Sequence, residues 1–164
     1  MEFNKLNAII SNPSWDMIAL FVFLAFFFFY GIIGGKNKVV SLILSLYISG
    51  FFFENFFYLD YFINGKGIIN LFILRVVIFL IILIALNFLF SRILSISSGS
   101  GRDWWQSLIL SFLGTGLLFS FIFHLFPAKE IFTFSPLIKY LFASNKAFFW
   151  WLLAPLVTFF LIRK

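Results

Sequence analysis

Long apolar runs separated by short polar or glycine-rich stretches make up most of this chain. A helix needs about 20 apolar residues to cross the roughly 30 Å hydrocarbon core of a bilayer. The pattern predicts four helices of about this length and a shorter fifth one. Their approximate ranges are 15–34, 39–57, 68–90, 104–123 and 147–162. The predicted fold class is therefore all-α, a polytopic membrane helix bundle with four or five transmembrane helices in one membrane domain, 1–164.

Polar residues and prolines predict where these helices begin and end. Residues 36–38, Lys-Asn-Lys, are expected to form a tight turn between the first two spans. Asp16 and Asp103 are expected at the starts of the first and fourth helices, where a carboxylate interacts favourably with the helix dipole. Residues 137–142 are expected to form a short helix at the membrane interface. The last segment contains Pro155, and we expect it to cross the membrane rather than to form a re-entrant or surface helix.

Composition strengthens the membrane interpretation. Of the residues, 63% are hydrophobic and only 11% are charged, and cysteine is absent. A soluble domain has about 25% charged residues to cover its surface, so soluble, disordered and disulfide-scaffold classes are excluded. The lack of cysteine removes thiol catalysis, zinc–thiolate sites and iron–sulfur clusters. The one histidine, His124, is interpreted as an interfacial side chain, so no metal site and no cofactor are predicted.

The net charge of +6 does not point to nucleic acid. Lys and Arg are scattered singly or in pairs between the apolar runs, as expected for residues that reach lipid headgroups and set orientation. Their split between the two sides is nearly even and slightly favours an outside N-terminus. The partners predicted are the lipid bilayer and other membrane proteins or a second copy of the chain.

Two ionisable residues fall within the predicted spans, Glu54 and Arg75. Charges there are costly and mark functional sites by default. Counted from the ends of their helices, both lie at a similar depth from the same membrane face, and consecutive antiparallel helices are normally neighbours. The sequence therefore predicts an intramembrane ion pair. It would either pin two helices together, which we favour, or line a polar path. The third interpretation is that Glu54 simply ends its helix in water.

Small residues recur at helical spacing in three of the spans and predict close helix packing, because small side chains let membrane helices approach one another. They are Gly31 and Gly35 in the first span, Ser41, Ser45 and Ser49 in the second, and Ser107, Ser111, Gly114 and Gly116 in the fourth. The alternative is a serine-lined water path. Packing is favoured, since no run of carboxylates or amides continues any of these stripes.

No catalytic motif is recognisable, since the chain has no Walker lysine loop, no His-Glu-x-x-His and no serine elbow. No catalytic residue is predicted, and an enzyme is not expected.

Five segments follow one another in a recognisable order: Asp16-Met17-Ile18, Gly31-Ile32-Ile33-Gly34-Gly35-Lys36, Ala85-Leu86-Asn87-Phe88, Arg102-Asp103 and Ser111-Phe112-Leu113-Gly114-Thr115-Gly116. This order of features resembles the colicin V production protein (CvpA) family of bacterial inner-membrane proteins. The resemblance implies a multi-pass protein of the bacterial cytoplasmic membrane, linked to toxin export and envelope homeostasis and acting with partners. It implies no catalytic residues.

Two functions are therefore expected to compete. The first is a non-enzymatic scaffold or accessory subunit for envelope assembly or for secretion of toxins or proteins. The second is a small channel or transporter that uses the Glu54–Arg75 pair.

Overall fold

A computed structural model describes residues 15–55, 67–94, 104–126 and 128–162. Within these ranges the chain forms seven α-helices and no strand. They are α1 (Trp15–Gly34), α2 (Lys36–Glu54), α3 (Ile68–Leu94), α4 (Trp104–Leu125), α5 (Ala128–Ile131), α6 (Pro136–Phe142) and α7 (Asn145–Ile162).

Four of these helices, α1 to α4, are each long and apolar enough to cross a membrane, and the bent pair α6–α7 provides a fifth candidate. The axes of α6 and α7 differ by 60° at their junction. The predicted fold class is therefore confirmed, and the chain is an all-α, multi-pass membrane protein with four or five spans.

The helix boundaries differ from the prediction mainly between the first two spans. The polar turn expected at 36–38 is wrong, because α2 already begins at Lys36. Gly35 alone makes the turn, with φ at +76°, a backbone conformation that glycine adopts without steric cost. The helices α3 and α4 run to Leu94 and Leu125, beyond their predicted ends, whereas α2 ends at Glu54, before its predicted end at 57.

The helices α2 and α4 form the centre of the bundle. About half or more of each spanning window is buried, against 11% in α1 and 6% in α3. The difference follows from composition, because the serines and glycines of α2 and α4 let other helices pack closely. Large apolar side chains from both helices fill the core, among them Ile43, Leu46, Leu110 and Leu117.

Consecutive spans run in opposite directions, which gives the bundle two ends. The first is called here the Asp16 end. There the start of α1 lies beside the segment after α4, with Trp15 against Phe132. The end of α2 also meets the end of α4 there, with Phe53 against Phe126. At the opposite end, called here the Lys36 end, the Lys36 Nζ donates to the Gln106 Oε1 at 3.0 Å.

The short helix α6 lies at the Asp16 end. It includes residues 137–142, which were predicted to form a short helix at the membrane interface. Its Ile138 and Phe142 are buried with Phe119 and Phe123 of α4. The following helix, α7, then packs along α4.

A hydrogen bond supports α7 near its proline. Pro155 lies inside α7, and its missing N–H leaves a helix carbonyl without its usual donor. The hydroxyl of Tyr47 in α2 donates to the adjacent Leu152 carbonyl at 2.5 Å. A neighbouring helix thus stabilises the stretch of α7 that proline weakens.

Candidate functional site

The two serine stripes lie at helix contacts inside the bundle. Ser41, Ser45, Ser49, Ser107 and Ser111 are all buried. Three of their hydroxyls donate to carbonyls of their own helix, Ser45 to Ser41 at 2.7 Å, Ser111 to Ser107 at 2.6 Å and Ser49 to Leu46 at 3.0 Å. Hydroxyls bonded in this way need no water, as expected for serines at a packed helix contact.

The glycines divide into packing positions and a turn. A Cβ built on Gly114 would lie 2.6 Å from the Phe27 ring, and one on Gly31 would lie 2.8 Å from the Val39 side chain. A Cβ on Gly116 would overlap the ring of Trp151. The expectation that Gly35 packs against another helix is wrong, because it makes the turn before α2 and a Cβ there would meet nothing within 4 Å.

Asp16 does more than begin a helix. Its side chain is fully buried, with one carboxylate oxygen accepting the Ser135 N–H at 2.6 Å and the other the Met17 N–H at 3.0 Å. Next to it, the Trp15 indole donates to the Thr133 carbonyl at 3.0 Å. The Asp16 carboxylate therefore links the start of α1 to Ser135, the residue before α6, through a hydrogen bond. The other aspartate predicted at a helix start, Asp103, lies outside the described residues.

The intramembrane ion pair predicted between Glu54 and Arg75 is not formed between these two described side chains. Glu54 is the last residue of α2 and is exposed. The Nε of Arg75 is buried and has no hydrogen-bond partner. The physical reason is the direction of the side chain. Phe53 faces α3, with its ring centroid 5.8 Å from that of Phe79, and the next residue of the helix, Glu54, points about 100° away from Phe53.

His124 lies between α4 and α7. Its Nδ1 is 2.9 Å from the Ser120 carbonyl, and its ring stacks on Phe148 with centroids 4.1 Å apart. The contact with α7 makes this histidine part of the helix packing. In the ranges that the structure describes, no three His, Cys, Asp or Glu side chains are grouped as metal binding would require.

A polar cluster that the sequence did not reveal as a site links three helices towards the Lys36 end. The Asn87 amide nitrogen in α3 donates to the Tyr30 hydroxyl of α1 at 3.2 Å. The Ser41 hydroxyl of α2 lies 3.3 Å from the Asn87 amide oxygen. The sequence feature that could have revealed this cluster is Asn87 itself, because an amide side chain within an apolar membrane helix needs partners on a neighbouring helix.

An apolar groove begins at this cluster and runs towards the Asp16 end. The helices α1 and α3 both pack on α2 but are held apart along most of their length. The space between them has a volume of about 520 Å³. Its apolar lining includes Phe26, Leu46, Phe72, Leu83 and Phe126, and Tyr30 and Asn87 line it as well.

Comparison with known proteins identifies no relative of this chain. No family model, no curated protein and no solved structure matches the chain. What is established is the class, a multi-pass helical membrane protein whose described polar groups are mostly bonded inside the bundle.

Proposed function

We propose that this protein is a non-enzymatic scaffold or accessory subunit of the bacterial cytoplasmic membrane that acts in envelope assembly or in secretion. The observation that carries the proposal is the contrast between a tightly packed centre and two mainly apolar helices, α1 and α3, of whose spanning windows only 11% and 6% is buried. The proposed partners are other membrane proteins or a second copy of the chain, and its resemblance to the colicin V production protein family motivates the secretion role.

The outward faces of α1 and α3 are suited to contacts within the membrane. On α1 they carry Phe21, Phe29 and Ile33, and on α3 they carry Ile81 and Phe88. Membrane helices associate through van der Waals packing and hydrogen bonds. Long faces built mainly of large apolar side chains offer packing without a polar path.

A photo-crosslinking residue in place of Phe88 tests this proposal in native membranes. Phe88 is 71% exposed, so the substitution leaves the core intact. We expect a discrete crosslinked product that contains a membrane component of secretion or envelope assembly. The matched control is the same residue in place of Ile43, which is fully buried and should give only crosslinks within the chain. Products with lipid alone at Phe88 and at a second exposed position, Phe29 on α1, would contradict the proposal.

A small channel or transporter is the second candidate, and Arg75 is the observation that favours it. A cationic side chain with a buried donor that lacks a hydrogen-bond partner is costly within a membrane and is retained more readily where it contacts a passing or bound anion. The Nε of Arg75 has this character.

Substitutions at Glu54 and Arg75 distinguish the two interpretations of this arginine. Because the side chains are not paired, we expect Glu54→Gln and Arg75→Met each to change the free energy of unfolding in detergent by less than about 1 kcal/mol. The double variant should equal their sum. A coupling energy above about 1 kcal/mol between the two substitutions would instead indicate that Glu54 and Arg75 do form an ion pair. Anion flux into liposomes that Arg75→Met abolishes in a stable protein would favour the channel.

A further inference from the structure

We propose that the groove between α1 and α3 binds one acyl chain of an anionic phospholipid, with the lipid headgroup at the Lys36 end. This is a specific lipid site, distinct from the general contact between the bundle and the bilayer. Its elements are a hydrocarbon channel, a hydrogen-bond donor at the depth of the lipid ester groups, and a cation beyond that donor.

The dimensions of the groove fit a single hydrocarbon chain. From Phe72 to Asn87 the lining residues of α3 span about 22 Å at 1.5 Å per residue, and the volume over that length is about 520 Å³. A transmembrane helix with its side chains is about 10–12 Å wide and would need several times that volume. The groove is therefore too small to enclose a partner helix, and its apolar walls do not favour a hydrated solute.

The end of the groove offers a hydrogen-bond donor. Tyr30 accepts the Asn87 amide at 3.2 Å, and a tyrosine hydroxyl can donate as well as accept. Among the described residues the Tyr30 hydroxyl hydrogen has no acceptor. Tyr30 lies one helical turn before Gly34 at the end of α1, a depth that suits an ester carbonyl oxygen of a phospholipid.

The charge at this end complements a phosphate. The Lys38 side chain lies against Gly34, one turn beyond Tyr30, and it is exposed. The two carboxylates whose side chains the structure describes, Asp16 and Glu54, both lie at the opposite end of the bundle. From the centre of the membrane outward, the groove thus presents apolar, hydrogen-bonding and cationic groups in the same order as the matching parts of an anionic phospholipid.

Native mass spectrometry of the detergent-solubilised chain tests this site. The protein is incubated with equal amounts of phosphatidylglycerol and phosphatidylcholine that carry the same acyl chains. We expect one phosphatidylglycerol retained per chain in preference to phosphatidylcholine. Lys38→Ala should lower that preference about fivefold, since a basic residue near the membrane surface contributes about 1 kcal/mol to the attraction of anionic lipid.

A groove-filling substitution and its control complete the test. Leu83→Trp places an indole inside the groove and should reduce the retained lipid at least tenfold, whereas Ile81→Trp, on the outward face of the same helix and 62% exposed, should leave it unchanged. If Leu83→Trp does not fold, Leu80→Trp at the groove mouth, 44% exposed, serves instead. Undiminished lipid in a folded groove variant, a second protein copy in place of lipid, or equal retention of the two lipids would overturn the proposal.

Discussion

Gly116→Ala is expected to detach α7 from α4, with a loss of about 3 kcal/mol in the free energy of unfolding. A Cβ at this position would overlap the six-membered ring of Trp151. The ring has little freedom to move, because its Nε1 donates to the Leu141 carbonyl at 2.9 Å and its face stacks on Phe142 at 5.2 Å. One added methyl group would therefore disturb the α4–α7 contact and the α6–α7 junction together.

Chemical or thermal unfolding in detergent measures this loss, and the chain supplies a matched control. Gly67 has no neighbour within 4 Å of an added Cβ and no positive φ, so Gly67→Ala should be nearly neutral. Trp151→Leu in the Gly116→Ala background removes the clashing ring and should recover part of the stability. Equal unfolding of Gly116→Ala and Gly67→Ala would show that α7 does not pack on α4 in this way.

Asp16→Ala is expected to lower the free energy of unfolding by about 2 kcal/mol, because it leaves the Ser135 and Met17 N–H groups without their acceptor. A hydrogen bond to a charged acceptor contributes more than one between neutral groups. The effect should be concentrated where the 133–135 segment meets α1. Amide hydrogen exchange is therefore the informative measurement, and the Ser135 amide should exchange much faster in the variant.

Two further variants bracket the Asp16 result. Asp16→Asn retains one carbonyl acceptor and should lose only part of the stability. Glu54→Ala removes an exposed carboxylate at the same end of the bundle and should change stability by less than about 0.5 kcal/mol. If Asp16→Ala matched Glu54→Ala in both stability and Ser135 exchange, the carboxylate would not hold α6 in place.

The spans of the bundle were predictable because an apolar run of about 20 residues has few alternatives to a membrane helix. The bounds of α1 matched residue by residue, as did the start of α3. The turn before α2 was misplaced since lysine and asparagine are compatible with both a turn and a first helical turn. Only the φ of +76° at Gly35 shows that one residue suffices.

The polar sites were harder to predict, because they depend on which distant residues meet. Counting depth along single helices placed Glu54 beside Arg75, yet depth does not specify the direction in which a side chain points, and Phe53 faces α3 in place of Glu54. Asp16 was predicted at a helix start, but its partner Ser135 lies 119 positions away in the chain. The link between Asn87 and Tyr30 likewise follows from how α1 and α3 flank α2, which hydropathy does not specify.

The most direct test of the scaffold proposal is the native mass of the full chain after gentle detergent extraction from its own membrane. The proposal predicts a defined complex that contains an unlike membrane protein of secretion or envelope assembly, or a fixed number of copies bound to one. Its abundance should fall when Phe88 on the outward face of α3 is replaced by a charged residue such as Glu. A lone monomer, or a homo-oligomer that conducts ions in liposomes, would contradict it.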